Sequence, residues 1–260
     1  MIEALAFGPT GLYSASRAKG KTVIQSHGKK TAALYTTPDT IRALWVGSTG
    51  TVHAAGKKHH TNASGEWTVP KRKTGKLAID VLTMWGTADN DLWVGGVDGE
   101  IVHFDGTGWT EMLATGGMIG GIAGTSASEV HFAGNDGHYY WDGDTLALVD
   151  KGYFQNMTIA DGHVYLCTND EIIRDGKSLG KHDEDELYGV GVGTAGTFAF
   201  SGTQVLRPER KKLVDVGVDP KLLMIKNGEY STAIASNGTE IAVGSPTTPI
   251  INTGRGWKQL

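Results

Sequence analysis

A chain of 260 residues fits one large all-β domain or two ordinary ones, and it buries a core without disulfides or metals. Thirty-eight glycines against seven prolines point to many tight turns rather than long helices, and the lone Cys167 excludes a disulfide framework. The formal charge is only −4, and no run of about 18 apolar residues exists to cross a membrane. The opening MIEALAFGPTGLYS has Glu3 within its apolar run and no preceding Lys or Arg, so it does not read as a secretory signal. A cytoplasmic location is therefore expected, and one unpaired cysteine suits a reducing compartment.

In chain order, the same short pattern recurs with drift. The first copy is GPTGLYSASRAKGKTVIQSHGKKTAAL, and the second is STGTVHAAGKKHHTNASGEWTV, with Thr51-Val-His-Ala-Ala-Gly56 leading to Trp67. The third, MWGTADNDLWVGGVDGEIVHFDGTGWTEML, is the clearest: three apolar runs cut by turns and closed by Trp109. SASEVHFAGNDGHYYWDGDTLALV follows, with Glu129 to Gly134, Asp142-Gly143 and Leu146 at the place of the tryptophan. ADGHVYLCTNDEIIRDGKSL and TAGTFAFSGTQVLRPERKKLV are fainter. The last, NGTEIAVGSPTTPIINTGRGWKQL, sets Glu240 to Gly244 on Asp91 to Gly95 and Gly254-x-x-Trp257 on Gly106-x-x-Trp109.

Units begin near Ile2, Ile41, Val81, Ile119, Phe154, Leu187 and Tyr230, so the spacing stays close to 40 residues. Each holds three or four strand-length runs separated by Gly, Asn or Asp, which is the pattern of consecutive hairpins. A lone sheet of this size leaves both faces wet. Radial stacking buries each against the next, and a period near 40 is that of a propeller. The expectation is a single all-β domain over residues 1–260, a seven-bladed β-propeller of four-stranded antiparallel blades, with six to eight blades admissible.

The run Trp85-Gly-Thr-x-x-Asn-Asp-Leu-Trp-Val-x-Gly-x-x-Gly-Glu-Ile-x-x-Phe-Asp-Gly-x-x-Trp109 resembles the repeat of a large group of bacterial β-propeller proteins. The resemblance implies a fold and no particular activity, because propellers host enzymes, lectins and protein-binding hubs. The Gly-His and Trp-Asp pairing of WD40 repeats is missing.

The chemistry-bearing residues give little sign of catalysis. Of the tryptophans, Trp45, Trp67, Trp85, Trp93, Trp109, Trp141 and Trp257, five fall at or near equivalent positions, which favours packing over sugar stacking; Trp85, Trp109 and Trp257 are expected to be buried between sheets. Nine histidines show no metal-ligand spacing, and HDEDE (182–186) and TADND (87–91) lack the alternation and the closing Glu of a calcium loop. No nucleophile elbow, P-loop or dinucleotide fingerprint occurs. No enzyme activity, metal or cofactor is expected.

Charge is unevenly spread: residues 1–80 carry a net +8, residues 81–190 a net −15 and residues 191–260 a net +3. In a propeller the turn between second and third strands shares a face with the crossover to the next blade. That face would hold Lys19, Lys21, Lys57, Lys58, His59, His60 and the crossover Lys71, Arg72, Lys73, Lys76 in one sector. Asp98, Glu100, Asp136, Asp170, Glu171 and the crossover Asp183, Glu184, Asp185, Glu186 would fill another. The insertion VGVDPKLLMIKNGE (216–229), with apolar Leu222 to Ile225, would join them. Lys29 and Lys30 would lie on the opposite face. The expectation is a monomeric module that binds a protein partner on this loop face, as an inhibitor or immunity protein of a bacterial toxin or an assembly factor. The alternatives are a lectin-like propeller, or a hydrolase or lyase with its site at the central channel. Nucleic acid is disfavoured, since the acidic sector would repel phosphates.

Overall fold

A computed structural model describes residues 1–70, 77, 79–183, 186–223, 233–245 and 248–260. The first sheet is an antiparallel meander of β1 (Ile2–Gly8), β2 (Gly11–Ala18), β3 (Lys21–His27) and β4 (Thr31–Thr37). The second comprises β5 (Ile41–Val46), β6 (Val52–Gly56) and β7 (His59–Thr61), followed by a single bridge between Thr61 and Thr68. β8 (Val81–Ala88), β9 (Asp91–Gly96), β10 (Glu100–Phe104) and β11 (Trp109–Ala114) form the third, and β12 (Ile119–Ser126), β13 (Glu129–Gly134), β14 (Gly137–Trp141) and β15 (Leu146–Lys151) the fourth.

Two further meanders share one eight-stranded sheet: β16 (Asn156–Ala160), β17 (His163–Cys167), β18 (Glu171–Arg174), β19 (Lys177–Lys181), and β20 (Gly189–Gly193), β21 (Gly196–Phe200), β22 (Val205–Glu209), β23 (Lys211–Asp215). They are joined where outermost β19 and β23 run parallel, pairing Gly180 with Lys211 and Lys181 with Lys212. A short helix, α1 (Pro220–Leu223), precedes the last meander of β24 (Ile234–Ser236), β25 (Ile241–Val243), β26 (Ile250–Asn252) and β27 (Trp257–Gln259).

The first strand of each meander contacts the first strand of the next, from β1 through β5, β8, β12, β16 and β20 to β24, and β24 returns to β1. The chain is thus an all-β propeller around a central channel. Hydrogen bonding does not give seven separate four-stranded sheets. It gives four of them, one of three strands and the fused one of eight. The fusion arises because two outer strands approach within pairing distance over Gly180, whose missing side chain admits the Lys212 carbonyl. No helix among the described residues is long and apolar enough to cross a membrane.

Alternation within strands supplies the core. Ala4, Ala6, Ala15 and Ile24 of the first sheet meet Leu44, Val46 and Ala54 of the second. Trp93 and Ile101 of the third meet Ile119, Val130 and Phe132 of the fourth, and the ring closes where Ile2, Leu5 and Leu12 pack on Ala242 and Ile251.

The turns explain much of the register. Lys19-Gly20, Asp161-Gly162 and Asp175-Gly176 each have both central residues at positive φ, the geometry that matches the twist of a two-residue hairpin. At the β22–β23 turn the corresponding pair is Arg210 (φ 48) and Lys211 (φ 68), where a side chain crowds the backbone. Lys211→Gly is expected to stabilise the protein by about 1 kcal/mol through relief of that crowding. A thermal melt with no increase would show that the β19–β23 pairing compensates the strain.

Candidate loop face and central channel

Backbone bonds hold three of the described crossovers against the turn between second and third strands. Val97 N donates to Asp80 O at 3.1 Å, Phe154 N to Gly134 O at 3.0 Å, and Leu187 N to Asn169 O at 2.8 Å. These turns and crossovers therefore share one face, and antiparallel order puts the β3–β4 turn with Lys29 and Lys30 on the other.

On the basic side Lys19, Lys21, Lys57 and Lys58 are exposed. Lys58 Nζ grips both oxygens of Asp39, at 3.0 and 3.1 Å. Burial alone would raise the Asp39 pKa, but the Lys58 hydrogen bond and charge, with that of His60, hold the carboxyl below its ordinary value. His59 and His60 depart from expectation. The turn ends at Lys58, and both rings lie buried on β7, 3% and 1% exposed. His59 Nε2 lies 3.0 Å from His53 Nδ1. His60 Nδ1 lies 3.2 Å from the Tyr35 hydroxyl, His60 Nε2 sits 3.2 Å from Asp39 Oδ2, and Tyr35 stacks on Trp67 at 4.4 Å. These histidines brace two sheets and offer no surface to a partner. Lys71, Arg72, Lys73, Lys76, Glu184 and Asp185 lie outside the described residues.

On the acidic side Asp98, Asp136, Asp170, Asp183 and Glu186 are exposed, while Glu100 and Glu171 are half-buried. Lys181 stands 3.8 Å from Asp170 and 3.6 Å from Glu171. Glu186 is held by both oxygens: Gln155 Nε2 donates to Oε1 at 2.8 Å and the Tyr188 hydroxyl to Oε2 at 3.4 Å. In the 216–229 insertion, Leu223 is fully buried against Val218 and Phe200 rather than displayed, because α1 turns it into the core, while Met224 and Ile225 lie outside the described residues.

Innermost strands enclose a channel of about 720 Å³. Glu3, Arg42, Gln155 and Tyr188 lie toward the loop face, since each stands at or before the start of its strand; Phe7, Trp45 and Trp85 lie toward the other end. Arg42 pairs with Asp80 at 3.1 Å. The glycine-rich β20 lets its neighbours approach, and Thr158 Oγ1 meets Ser236 Oγ at 3.3 Å. Among the described residues no group of three or more His, Cys, Asp or Glu could hold a metal ion.

Of the three tryptophans expected in the core, Trp109 is buried, but Trp85 and Trp257 are only half-buried. Trp85 borders the channel, its ring resting over Gly124, where a Cβ would lie 2.6 Å from the indole. The fully buried tryptophan is Trp93. Its signal was its place in mid-strand with apolar neighbours on both sides, where neither face of the sheet meets water.

No family model matches the chain, and no curated protein matches it. Among solved structures it is similar to the virginiamycin B lyase of Staphylococcus aureus, in its selenomethionine form, with a TM-score of 0.74 and 13% identity over 96% of this chain and 93% of that one. It is also similar to the WD40 β-propeller domain of Doa1, with a TM-score of 0.68 and 13% identity over 99% of this chain and 91% of that one. The fold is shared. An identity of 13% shows the fold alone, and a lyase and a WD40 domain are both found among the similar structures.

Proposed function

We propose that this propeller is a non-catalytic module that binds a protein partner through its loop face. We count its blades as seven by taking the eight-stranded sheet as two, and we read its repeat as that of the bacterial propeller group. The observation that carries the binding reading is the division of exposed charge. Lys19, Lys21, Lys57 and Lys58 stand on one part of the face, and Asp98, Asp136, Asp170, Asp183 and Glu186 on another. A surface of both signs selects a partner with the complementary pattern and repels much else. Such a module would act in the cytoplasm as a monomer, as an inhibitor or immunity protein or as an assembly factor.

The test uses three baits in native lysate: the wild-type chain, Lys57→Glu with Lys58→Glu, and Lys29→Glu with Lys30→Glu. A protein retained by the first and third but lost by the second identifies the partner. Its association rate should fall at least several-fold on reversal at Lys57 and Lys58, with a weaker salt dependence, because exposed complementary charges act mainly on the on-rate. Stability should change by no more than about 1 kcal/mol, the scale of an exposed pair such as Lys58 with Asp39. Equal losses from both faces, or none from either, would reduce the charge division to a solubility feature. Turnover of virginiamycin B by the purified chain would overturn the non-catalytic reading.

A further inference from the structure

The channel has a chemistry that the docking face does not use. Its volume of about 720 Å³ falls within the roughly 300–1,000 Å³ of small-molecule sites. Among the described residues two charged side chains line it, Glu3 and Arg42. Arg42 is committed to Asp80 at 3.1 Å. The Glu3 carboxylate has no hydrogen-bond or ion-pair partner among the described residues and is half-buried at the start of β1. Among the described residues the channel thus holds one carboxylate with no counter-charge of its own, and a half-buried carboxylate gains more from a counter-charge than a fully exposed one does.

Beyond Glu3 the walls mix hydroxyl and amide groups, Thr83, Thr158 and Ser236 among them, with aromatic side chains. Phe7 follows on the same strand, about 13 Å away at ~3.3 Å per residue, and Trp45 and Trp85 stand at the same end on β5 and β8. Indole and phenyl faces attract cations and also accept alkyl chains. At the loop-face mouth, Glu186 is fixed by Gln155 and Tyr188, and both of those residues line the channel. A neutral polyol would leave Glu3 uncompensated, and an anion would be repelled by it.

We propose that the central channel binds a small organic cation, an ammonium or guanidinium with an apolar tail, its charged head on Glu3 and its tail toward Phe7, Trp45 and Trp85. This assignment stands independently of the protein-docking reading, since it uses none of the loop-face lysines.

The probe is n-hexylammonium, with hexanoate and 1-hexanol as isosteric controls, followed by tryptophan fluorescence and by calorimetry at low salt. Saturable binding of hexylammonium at least tenfold tighter than either control is expected. Glu3→Gln should abolish that preference and bring the cation down to the level of hexanol. Trp85→Leu should weaken cation and alcohol together, which locates the site in the channel, while Lys57→Glu with Lys58→Glu should change nothing. Circular dichroism melts of each variant separate loss of binding from loss of fold. No saturable binding of hexylammonium, equal binding of the three probes, or a preference that survives Glu3→Gln would each overturn the assignment.

Discussion

Trp93→Ala should lower the unfolding free energy by about 3–5 kcal/mol, the range of large-to-small substitutions of aromatic core residues. The indole is fully buried between the third and fourth sheets. It stacks on His103 with centroids 4.2 Å apart, meets Phe132 edge-on at 5.3 Å and lies 5.5 Å from Trp141. Asp91 fixes His103 through Nε2 at 2.6 Å, so the surrounding groups are poorly placed to collapse into the space left behind. Trp93→Phe should cost less than half as much. It keeps most of the contact, and it removes a buried indole N–H that has no hydrogen-bond partner. Trp85→Ala should cost clearly less than Trp93→Ala, because one side of Trp85 already borders the channel. Denaturant titration ranks the three. A Trp85→Ala loss equal to that of Trp93→Ala would mean that the channel wall, and not the seam between sheets, limits stability.

Mild acid should destabilise the protein strongly, well above the pH at which carboxylates titrate. His27, His53, His60, His131 and His138 all have pKa values pushed below the ordinary 6.5 by burial. His138 is carried down to about 4, by burial first and by the charge of His131 second. The rings of His131 and His138 stack at 5.1 Å with Nδ1 and Nε2 2.9 Å apart, and His53 and His59 repeat the arrangement at 5.2 and 3.0 Å. Charging both His131 and His138 would set two cations face to face.

The sign follows from which state holds the protons. Between the unfolded value near 6.5 and the lower folded value, the unfolded chain binds more protons. Stability is therefore complete above about pH 6.5 and is lost as the pH falls. The share of His138 is exhausted near pH 4. At 1.36 kcal/mol per unit, its shift is worth about 3 kcal/mol, and the other four act in the same direction. Asp39, Asp105, Asp142 and Asp175, whose folded values are lowered, add a separate loss below their ordinary 3.8. Urea titrations at pH 7.5, 6.5, 6, 5 and 4 should show little change from 7.5 to 6.5 and a steep fall from 6 to 4, and His138→Gln should flatten that fall by close to one proton. Equal stability at pH 7.5 and pH 5 would show that the folded rings take up protons as readily as the unfolded ones, stabilised by acceptors around them.

The hairpin grammar of this protein was legible in its residues. Asp-Gly and Asn-Gly pairs and strand-length apolar runs specify turns and strands locally, because positive φ at a turn and alternation along a strand are properties of a few neighbouring residues. A spacing near 40 then required sheets that shield one another, which is why the propeller architecture followed from the sequence alone. Adjacency between distant segments did not follow. His59 and His60 sit beside two lysines and read as part of an exposed turn, whereas in the fold Tyr35 of the first sheet, itself stacked on Trp67, packs against the buried His60. Trp85 and Trp93 occupy one hairpin with much the same local signal. Their burial is decided by whether the neighbouring sheet presents a glycine, as Gly124 does beneath Trp85, or bulk, as Phe132 does against Trp93. The pairing of β19 with β23 depends on a clearance at Gly180 that no local pattern encodes. The Glu3 carboxylate, without a partner among the described residues, was likewise invisible, since only the fold gives Arg42 to Asp80. Local backbone preferences act over a few residues and can be read in order; burial, clearance and charge pairing are set by sheets that meet only when the ring closes.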